Sequence, residues 1–292
     1  SKMIFCLLIK NSAEKSAQPY IVLKAVILPR IYRKFCTNLL QMIHIARLLL
    51  LPLALLWVSS FIGCGTSYEL DTKDPASIFR AAMIELEDED WLESEKLFDL
   101  IRLQYPSSPY ADDAQFYIGE LHFRKGEHIL ASFNFDMVRR SYPMSELSRI
   151  SRYKSALCYY ELSPPFDRDQ DYTKKAIQHF AEYQALYPDD SLYMESGKKI
   201  DELRNKLARR EYETAEIYRK LYTNKSALVY YDFVIEDYPD TEYYEAAFVG
   251  KIEALSDLKR KDELRATIEQ YNARIPKGTM RDRVMSIANS LP

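Results

Sequence analysis

The stretch ASFNFDMVRRSYP, residues 131–143, places a small residue, a bulky residue four positions later and a proline eight positions after that. The same spacing occurs five times along the chain. The five instances are Ser94/Phe98/Pro106, Ala131/Phe135/Pro143, Ala176/Phe180/Pro188, Ala227/Tyr231/Pro239 and Leu264/Ile268/Pro276. Because one pattern that recurs along a chain indicates stacked structural units, the sequence predicts a stack of helical hairpins. Such a stack is first of all a surface for holding other proteins.

Each instance fits the second helix of a hairpin. The small and the bulky residue, at positions i and i+4, lie on one face of the second helix. The small side chain lets the first helix of the hairpin approach closely, and the bulky side chain fills the neighbouring helix interface. The proline then ends the helix, because it lacks an amide hydrogen and disfavours helical geometry in the residue before it. In four instances that preceding residue is a tyrosine: Tyr105, Tyr142, Tyr187 and Tyr238.

The spacing of the prolines locates two irregular units. Successive prolines are 37, 45, 51 and 37 residues apart. The excess in the third unit falls on SPPFDRDQ, residues 163–170, where two prolines and short polar side chains predict an inserted loop. The excess in the fourth unit has apolar residues every three to four positions. It predicts one helix over residues 192–222, roughly 45 Å long.

The rest of the pattern fixes the fold class. No sustained alternation of apolar and polar residues occurs after residue 70, so that strands are not predicted. The small, bulky and proline positions resemble those of the tetratricopeptide repeat, whose consensus is about 34 residues long. The period here is longer, at 37 residues. We therefore predict an all-α solenoid of five tetratricopeptide-like helical hairpins.

Residues 42–63 have the features of a bacterial lipoprotein signal peptide. They combine a charged start at Arg47, a short apolar core and a small residue, Gly63, directly before Cys64. The apolar core is shorter than the roughly 20 residues that a membrane-spanning helix needs. Cys64 is therefore predicted to carry the lipid, with residues 64–74 as the lipidated linker. A diacylglyceryl, N-acylated cysteine carries several acyl chains and anchors stably, whereas a single chain binds only marginally.

Residues 1–41 precede a complete signal that begins at Met42, and we expect them not to belong to the mature protein. Eight of the 40 basic residues and one of the 43 acidic residues precede Cys64. The mature part is left with 32 basic against 42 acidic residues, a net charge near −10. This excess of negative charge argues against nucleic acid as a partner.

The sequence contains no recognisable catalytic or metal-binding pattern. The four histidines form neither HExxH nor a zinc arrangement with cysteines, and the seven glycines form no phosphate-binding loop. After Cys64 only Cys158 remains, in an apolar helical context that is typical of a core residue. We therefore expect no enzymatic activity, no catalytic residue, no metal ion and no cofactor.

Aromatic residues recur at equivalent positions of the first helices when the units are aligned by their period. The candidate peptide-binding residues are Phe79, Phe116, Phe123, Tyr153 and Tyr160, together with Arg124. Two interpretations stay open. The rings either pack between adjacent helices, at about 1.5–3 kcal/mol each when buried, or line a groove for an extended, aromatic-rich segment. In the second case, Arg124 is available to bind a carboxylate.

The Tyr-Pro endings, the period of 37 residues and the loop-bearing third unit together resemble the BamD family of outer-membrane lipoproteins, components of the β-barrel assembly machinery. Residues 207–218 and 237–241 are the nearest local matches, and the resemblance spans residues 70–276. It implies a lipid-anchored protein at the periplasmic face of the outer membrane. It also implies action by binding, without catalysis.

The resemblance further implies that the two halves of the stack have different partners. Repeats 1–3, residues 75–189, would receive the terminal strand signal of unfolded outer-membrane proteins. Repeats 4–5 and the carboxy-terminal tail, residues 190–292, would dock onto a BamA-like barrel insertase beside other subunits of the assembly complex. The expected docking residues are Arg209, Arg210 and Tyr212. A basic pair on a helix is, alternatively, a solvated or intrachain-paired face.

Two other functional classes are compatible with a helical stack. One is a tetratricopeptide-repeat lipoprotein that organises cell-division or peptidoglycan enzymes, which would share the stack but not the partner. The other is an enzyme with a repeat-built scaffold, for which the sequence offers no constellation of catalytic residues.

Overall fold

A computed structural model describes residues 71–290 of the chain. Within this range the backbone forms eleven α-helices and no strand. The helices are α1 Pro75–Glu87, α2 Trp91–Gln104, α3 Ala111–Arg124, α4 His128–Ser141, α5 Leu147–Glu161, α6 Asp171–Leu186, α7 Tyr193–Lys220, α8 Asn224–Asp237, α9 Tyr243–Asp257, α10 Lys261–Arg274 and α11 Arg281–Asn289. The predictions for residues 1–41, for the signal peptide at 42–63 and for Cys64 lie outside the described residues.

Helices α1 to α10 pair in chain order into five hairpins. Each helix packs against the next one along the chain. First helices of neighbouring hairpins also contact each other: α3 contacts α5, and α7 contacts α9. A unit that contacts only its neighbours is the defining property of a repeat solenoid. The predicted all-α fold class and the five hairpins are therefore confirmed.

The recurring small and bulky positions lie in the interior. The small residues Ser94, Ala131, Ala176 and Ala227 and the bulky residues Phe98, Phe135, Phe180 and Tyr231 have no exposed surface. Ser94, the polar member of the series, donates its hydroxyl to the carbonyl oxygen of Ala82 at 2.9 Å. In the described part of the chain these positions contribute to successive apolar clusters, the last of which joins hairpins four and five to α11.

The residue before each proline ends a second helix in one recurring backbone conformation. Its φ lies between −127° and −133° and its ψ between 49° and 61°, outside the helical region, because a following proline disfavours helical geometry. Its carbonyl oxygen accepts a hydrogen bond of 2.9–3.3 Å from the amide three residues later, which closes a tight turn. Each proline therefore sets both the end of one hairpin and the entry to the next.

Side chains of the first helices hold the linkers between hairpins. The contacts between a linker and the first helix of the preceding hairpin are Ser145 to Asp112, Arg149 to Asp190, Arg204 to Asp240 and Met280 to Glu245. The Arg204 guanidinium donates to both carboxylate oxygens of Asp240, at 2.6 and 2.5 Å. These polar contacts fix the register between neighbouring units, in addition to the apolar packing.

The two irregular units have the predicted causes. Helix α7 has 28 residues, about 42 Å at 1.5 Å per residue, and agrees with the lengthened helix expected in the fourth unit. The inserted loop, residues 162–170, separates α5 from α6. Its conformation depends on the buried Gln170, whose side-chain amide donates to the carbonyl oxygens of Pro165 at 2.8 Å and Arg168 at 3.0 Å.

Residues beyond Pro276, expected to be a tail, include the short helix α11. Its Val284 is fully buried and belongs to the apolar cluster of hairpins four and five. The turn before α11 is held by Glu245 of α9, which accepts from the Thr279 hydroxyl at 2.9 Å and the Met280 amide at 2.7 Å. Helix α11 therefore covers the last hairpin as a capping element, which repeat stacks require at their ends.

Candidate peptide-binding and docking surfaces

Phe116 and Tyr153, of the first aromatic column, lie in the interior. Phe116 is 8% exposed with its ring 5.4 Å from that of Phe135, and Tyr153 is 5% exposed with its ring 5.7 Å from that of Phe180. Burial and a 2.6 Å hydrogen bond from the Tyr153 hydroxyl to Glu195 raise the pKa of that tyrosine well above its usual value. Both rings fill the interface between the two helices of their own hairpin, as the packing interpretation expects.

Hairpins one and two share a cluster of partly buried rings. Phe79 stacks on Tyr110 with ring centroids 5.3 Å apart and meets Tyr117 edge-on at 5.7 Å. Tyr117 also contacts the buried rings of Phe98 and Phe116, at 5.8 and 5.5 Å. Sequence reasoning missed Tyr110 and Tyr117, because Tyr110 lies in a linker without periodicity and Tyr117 is adjacent to a column residue. The half-exposed rings of this cluster offer apolar surface beside α3.

Arg124 is an exposed cation beside this aromatic cluster. Its guanidinium contacts Glu87 of α1 at 3.2 Å, with 40% and 65% of the two side chains exposed. An ion pair this exposed contributes no more than about 1 kcal/mol, so that Arg124 can exchange Glu87 for a carboxylate of a ligand at little cost. The neighbouring Phe123 is half-buried, with the His128 ring against it at 5.1 Å and the Lys154 ammonium 5.5 Å above it.

Tyr160 lies where hairpin three meets helix α7. Its hydroxyl donates to Glu202 at 2.8 Å, and the Lys199 ammonium lies 4.1 Å above its ring. Burial, followed by the hydrogen bond to Glu202, raises the pKa of Tyr160 to about 12. The hydroxyl and one ring face of Tyr160 are therefore occupied by residues of α7.

The surface that the first helices share is polar as well as aromatic. Contacts from one first helix to the next are Arg124 to Glu87, Lys154 to Glu120, Tyr160 to Glu202 and Arg219 to Glu253. We call this series the first-helix ladder. A peptide lying along the first helices would meet this ladder of paired charges together with the partly buried rings of Phe79, Tyr117 and Phe123.

The three expected docking residues do not share one environment. Arg209 is 48% exposed, and its guanidinium lies 4.2 Å over the ring of Phe166. Tyr212, one helical turn later, is half-buried, with its ring 5.5 Å from that of Tyr243 and its pKa raised by burial. Arg210 follows Arg209 directly and is therefore rotated about 100° around α7. Arg209 and Tyr212 thus lie on one side of α7, and Arg210 lies on another.

An exposed apolar surface that the sequence reasoning missed covers the end of α7 and one side of α8. Ile217 on α7 is 54% exposed, Leu221 directly after α7 is 63% exposed, and Phe233 on α8 is 44% exposed. The partly buried rings of Tyr218 and Tyr230 stack at 5.3 Å, and Tyr230 also meets Phe233 edge-on at 6.0 Å. We call these five residues the α7–α8 apolar face. Contiguous exposed apolar residues of this kind mark interaction sites, and the signal in the sequence was the wide apolar stripe of α7.

A pocket of about 500 Å³ opens between the inserted loop, α7 and the start of α9. Its lining residues are Pro165, Phe166, Glu202, Asn205, Lys206, Arg209, Glu242 and Tyr243. The loop reaches α7 through the contact of Phe166 with Arg209 and through a 2.9 Å hydrogen bond from Lys206 to the Ser163 hydroxyl. We call this the junction pocket. It brings together the two irregular units of the sequence.

Between residues 71 and 290, no group of three or more His, Cys, Asp or Glu side chains is placed to hold a metal ion. None of the helices in that range is both long enough and apolar enough to cross a membrane. Cys158 is fully buried, and burial, with a smaller effect of Glu120, raises the pKa of its thiol to about 12. A thiol in this environment is a packing residue, because nucleophilic cysteines need a lowered pKa.

Comparison with known proteins identifies a matching family. The family model described as an outer membrane lipoprotein, YfiO, matches residues 71–270. The match begins before α1 and ends within α10, and so it includes residues of all five hairpins.

Individual relatives carry the description outer membrane protein assembly factor BamD. The chain is 23% identical to that of Caulobacter vibrioides over 219 residues, 72% of this chain and 70% of the relative. It is 21% identical to that of Vibrio cholerae over 224 residues, 73% of this chain and 93% of the relative. A solved thermophilic tetratricopeptide-repeat protein of Thermus thermophilus shares 14% identity, with 74% of this chain and 100% of that chain covered and a TM-score of 0.32.

Proposed function

Because the chain belongs to the YfiO family of outer membrane lipoproteins, we propose that it is a non-catalytic assembly factor for outer-membrane β-barrel proteins. It binds unfolded barrel proteins with one half of its helical stack and the barrel insertase with the other. The observation that carries this proposal is the family match, which includes residues of all five hairpins. The relatives named as outer membrane protein assembly factors support it.

The proposed location is the periplasmic face of the outer membrane. The anchor is the lipid on Cys64, directly before the linker that leads to α1. A linker of about ten residues reaches at most roughly 36 Å when fully extended. The anchor would therefore keep hairpin one close to the bilayer, where newly exported barrel proteins arrive.

The proposed substrate surface lies on hairpins one to three. Unfolded barrel proteins expose alternating apolar residues and unpaired strand edges, both of which promote aggregation. The half-exposed rings of Phe79, Tyr117 and Phe123 offer apolar contacts for such a segment. Arg124, held only by an exposed ion pair with Glu87, can bind a carboxylate of the substrate. The buried rings of Phe116 and Tyr153 pack in the interior beneath this surface, and Tyr160 lies at its edge, where hairpin three meets α7.

The proposed insertase surface lies on hairpins four and five. The α7–α8 apolar face gives it an apolar centre, and Arg209, Arg210 and Tyr212 would contribute contacts around it. Interfaces between proteins commonly have an apolar centre with a polar rim, and arginine and tyrosine are frequent among the residues that dominate binding. Binding by such a surface needs no catalytic group.

A pull-down from detergent-solubilised outer membranes tests the insertase contact. The wild-type protein should recover a barrel insertase, and Ile217→Ser should recover at least about tenfold less because it places a polar group at the centre of the apolar face. Leu186→Ser is the matched control, because Leu186 on α6 is also 54% exposed but lies off this face. Recovery of cell-division or peptidoglycan proteins without an insertase would refute the proposal and favour the alternative scaffold.

Capture of an unfolded barrel protein tests the substrate surface. Arg124→Gln should weaken capture of a peptide that carries the terminal barrel strand, while the thermal midpoint changes little because the Arg124–Glu87 ion pair is exposed. Lys125→Gln is the control, because it removes the neighbouring charge, whose ammonium pairs with Glu127 at 3.0 Å. Equal affinities of the two variants would show that Arg124 does not bind the substrate.

A further inference from the structure

The junction pocket is held open by contacts between the inserted loop and helix α7. The Phe166 ring lies 4.2 Å from the guanidinium carbon of Arg209, and the Lys206 ammonium donates to the Ser163 hydroxyl at 2.9 Å. These contacts hold the loop at two points about one helical turn apart on α7, Lys206 and Arg209. The volume of about 500 Å³ is within the range of ligand-binding pockets, roughly 300–1,000 Å³.

Two cations of the pocket are incompletely neutralised. The nearest carboxylate to the Arg209 guanidinium is that of Glu213, at 4.0 Å, and no residue from 71 to 290 accepts a hydrogen bond from Arg209. The Phe166 ring covers a face of the guanidinium and leaves its in-plane N–H groups available, which suits bidentate binding of a carboxylate. Lys206 has no carboxylate within ion-pair distance in the same range, and burial lowers its pKa against a smaller opposing effect of Glu202.

The pocket has apolar walls, and two carboxylates line it beside the two cations. Pro165 and the Phe166 ring form one wall, and Tyr243, whose ring packs on Tyr212 at 5.5 Å, forms another. Glu202, one helical turn before Lys206 on α7, and Glu242 also line the pocket. Within the described part of the chain, Arg209 has no carboxylate closer than 4.0 Å, so a ligand carboxylate finds its binding partner at this guanidinium.

We propose that the junction pocket binds an extended acidic segment of a partner protein, with an aromatic side chain between Phe166 and Tyr243 and a neighbouring carboxylate on Arg209 and Lys206. The choice of a polypeptide as occupant rests on the proposed function, in which this stack binds proteins. The available N–H groups of Arg209 select a carboxylate, and the ring surfaces select the aromatic side chain. The site is separate from the α7–α8 apolar face, which lies on the last turns of α7 and on α8.

Fluorescence anisotropy with the full chain in detergent tests this site. The probe is a labelled peptide of Gly and Ser residues with a central Asp-Phe-Asp motif. Arg209→Gln should weaken its binding about ten- to a hundredfold, because it removes a charge-assisted bidentate contact. Arg168→Gln is the matched control: it removes the same charge from an exposed position of the same loop and should bind as the wild type does.

Other peptides and a second variant define the ligand and test whether the protein keeps its fold. Peptides with Asn-Phe-Asn or Asp-Ala-Asp should bind at least about tenfold more weakly, because each lacks one of the two contacts. Phe166→Leu should weaken binding with an unchanged thermal midpoint, since it removes the stacked ring from a surface loop. Absence of peptide binding by the wild type, or equal binding by the Arg209 and Arg168 variants, would overturn the proposal. Equally tight binding of free N-acetylphenylalanine would overturn the choice of a polypeptide.

The same preparation separates this inference from the proposed function. If peptide binding is lost in Phe166→Leu while an insertase and unfolded barrel proteins are still recovered, both proposals stand, because Phe166 belongs to the junction pocket and to neither surface of the proposed function. If the wild type recovers an insertase but never binds the peptide, the pocket assignment alone fails. Peptide binding without any recovery of insertase or barrel proteins would instead refute the proposed function.

Discussion

Gly119 of α3 packs directly against the ring of Phe135 in α4. A Cβ atom placed on Gly119 would lie 2.8 Å from the Cδ1 and Cε1 atoms of that ring, closer than side-chain carbons approach each other. The equivalent positions one unit before and one unit after, Ala82 and Ala156, are fully buried and carry a methyl group. In the second hairpin the fully buried aromatic ring therefore occupies the space that a methyl group takes in the neighbouring units.

Gly119→Ala should consequently destabilise the protein by about 1–3 kcal/mol, the usual cost of overpacking a core. The measurement is the free energy of unfolding in urea. Gly197→Ala is the control, because its Cβ would meet only the Nε2 atom of Gln184, at 3.1 Å. That variant should change the free energy of unfolding by no more than about 1 kcal/mol, because better helix propensity offsets a small displacement of this amide, which donates to the Tyr193 carbonyl oxygen at 2.9 Å. Equal stability changes in the two variants would contradict the close packing of Gly119 on Phe135.

Phe116→Ala and Tyr153→Ala should each lower the free energy of unfolding by about 3–5 kcal/mol, because they leave cavities in buried interfaces. Affinity for a barrel-terminal peptide, measured on the folded fraction, should change little. Phe123→Ala is the comparison, because this ring is half-exposed and its loss should act mainly on affinity. A stable Phe116→Ala variant with strongly weakened capture would instead favour the groove interpretation.

The ion pair between Arg204 and Asp240 should stabilise the fold at neutral pH and lose this effect at acidic pH. Hydrogen bonds from Arg204 lower the pKa of Asp240, against a smaller opposing effect of burial. A carboxyl whose pKa is lower in the folded than in the unfolded protein stabilises the fold at pH values above its unfolded-state pKa, about 3.9. This contribution is lost as the pH falls through the folded-state pKa. The thermal midpoint of Asp240→Asn should therefore lie below that of wild type at pH 7.

The pH dependence of this difference in thermal midpoint checks the direction of the effect. The difference in midpoint between wild type and Asp240→Asn should shrink below about pH 4, where the wild-type carboxyl takes up its proton. Glu236→Gln, an exposed carboxylate of α8, serves as the control for general charge effects. A difference that stays constant down to the lowest accessible pH would assign the effect of Asp240→Asn to something other than ionisation.

Cys158 should resist alkylation in the folded protein. At pH 8 a thiol with a pKa of about 12 is almost entirely protonated, and its full burial excludes the reagent. Peptide mapping after iodoacetamide treatment should show Cys158 modified only when urea is present. Met144→Cys supplies the positive control, since this position is 95% exposed. Rapid modification of native Cys158 would mean that hairpins two and three open locally.

Cys64→Ala should prevent lipidation and leave the protein unprocessed or soluble. The reason is that the thiol of Cys64 is the only attachment point that the lipoprotein pattern offers. Membrane fractionation and the mobility of the protein on gels measure the effect, and Cys158→Ala should fractionate as the wild type does. Normal membrane association of Cys64→Ala would contradict the anchor assignment.

Sequence reasoning was most successful where a residue acts locally. Each proline stops its own helix and each small–bulky pair marks one helix face, so that hairpin number, the loop at 163–170 and the long α7 follow from spacing. Helix α11 was missed because it is nine residues long and lies beyond the last proline of the pattern. Its position depends on Val284 entering a cluster built by other hairpins.

The candidate surfaces were harder to predict, because a column of aromatic residues looks the same in the sequence whether it faces the core or the solvent. The stack decides between them. Phe116 and Tyr153 are buried by their own hairpins, whereas Phe123 keeps part of its ring exposed. The contact of Phe166 with Arg209 joins residues that are far apart in the chain, so that no local pattern could indicate it.

The sequence by itself thus determined the helical hairpins, their order and the two irregular units, because helix stops and helix faces depend on residues within one or two turns. Only the tertiary structure decided which rings are core, where the α7–α8 apolar face lies and that the loop meets α7 in a pocket. These outcomes depend on how much surface one hairpin removes from its neighbour, a quantity set by packing across units.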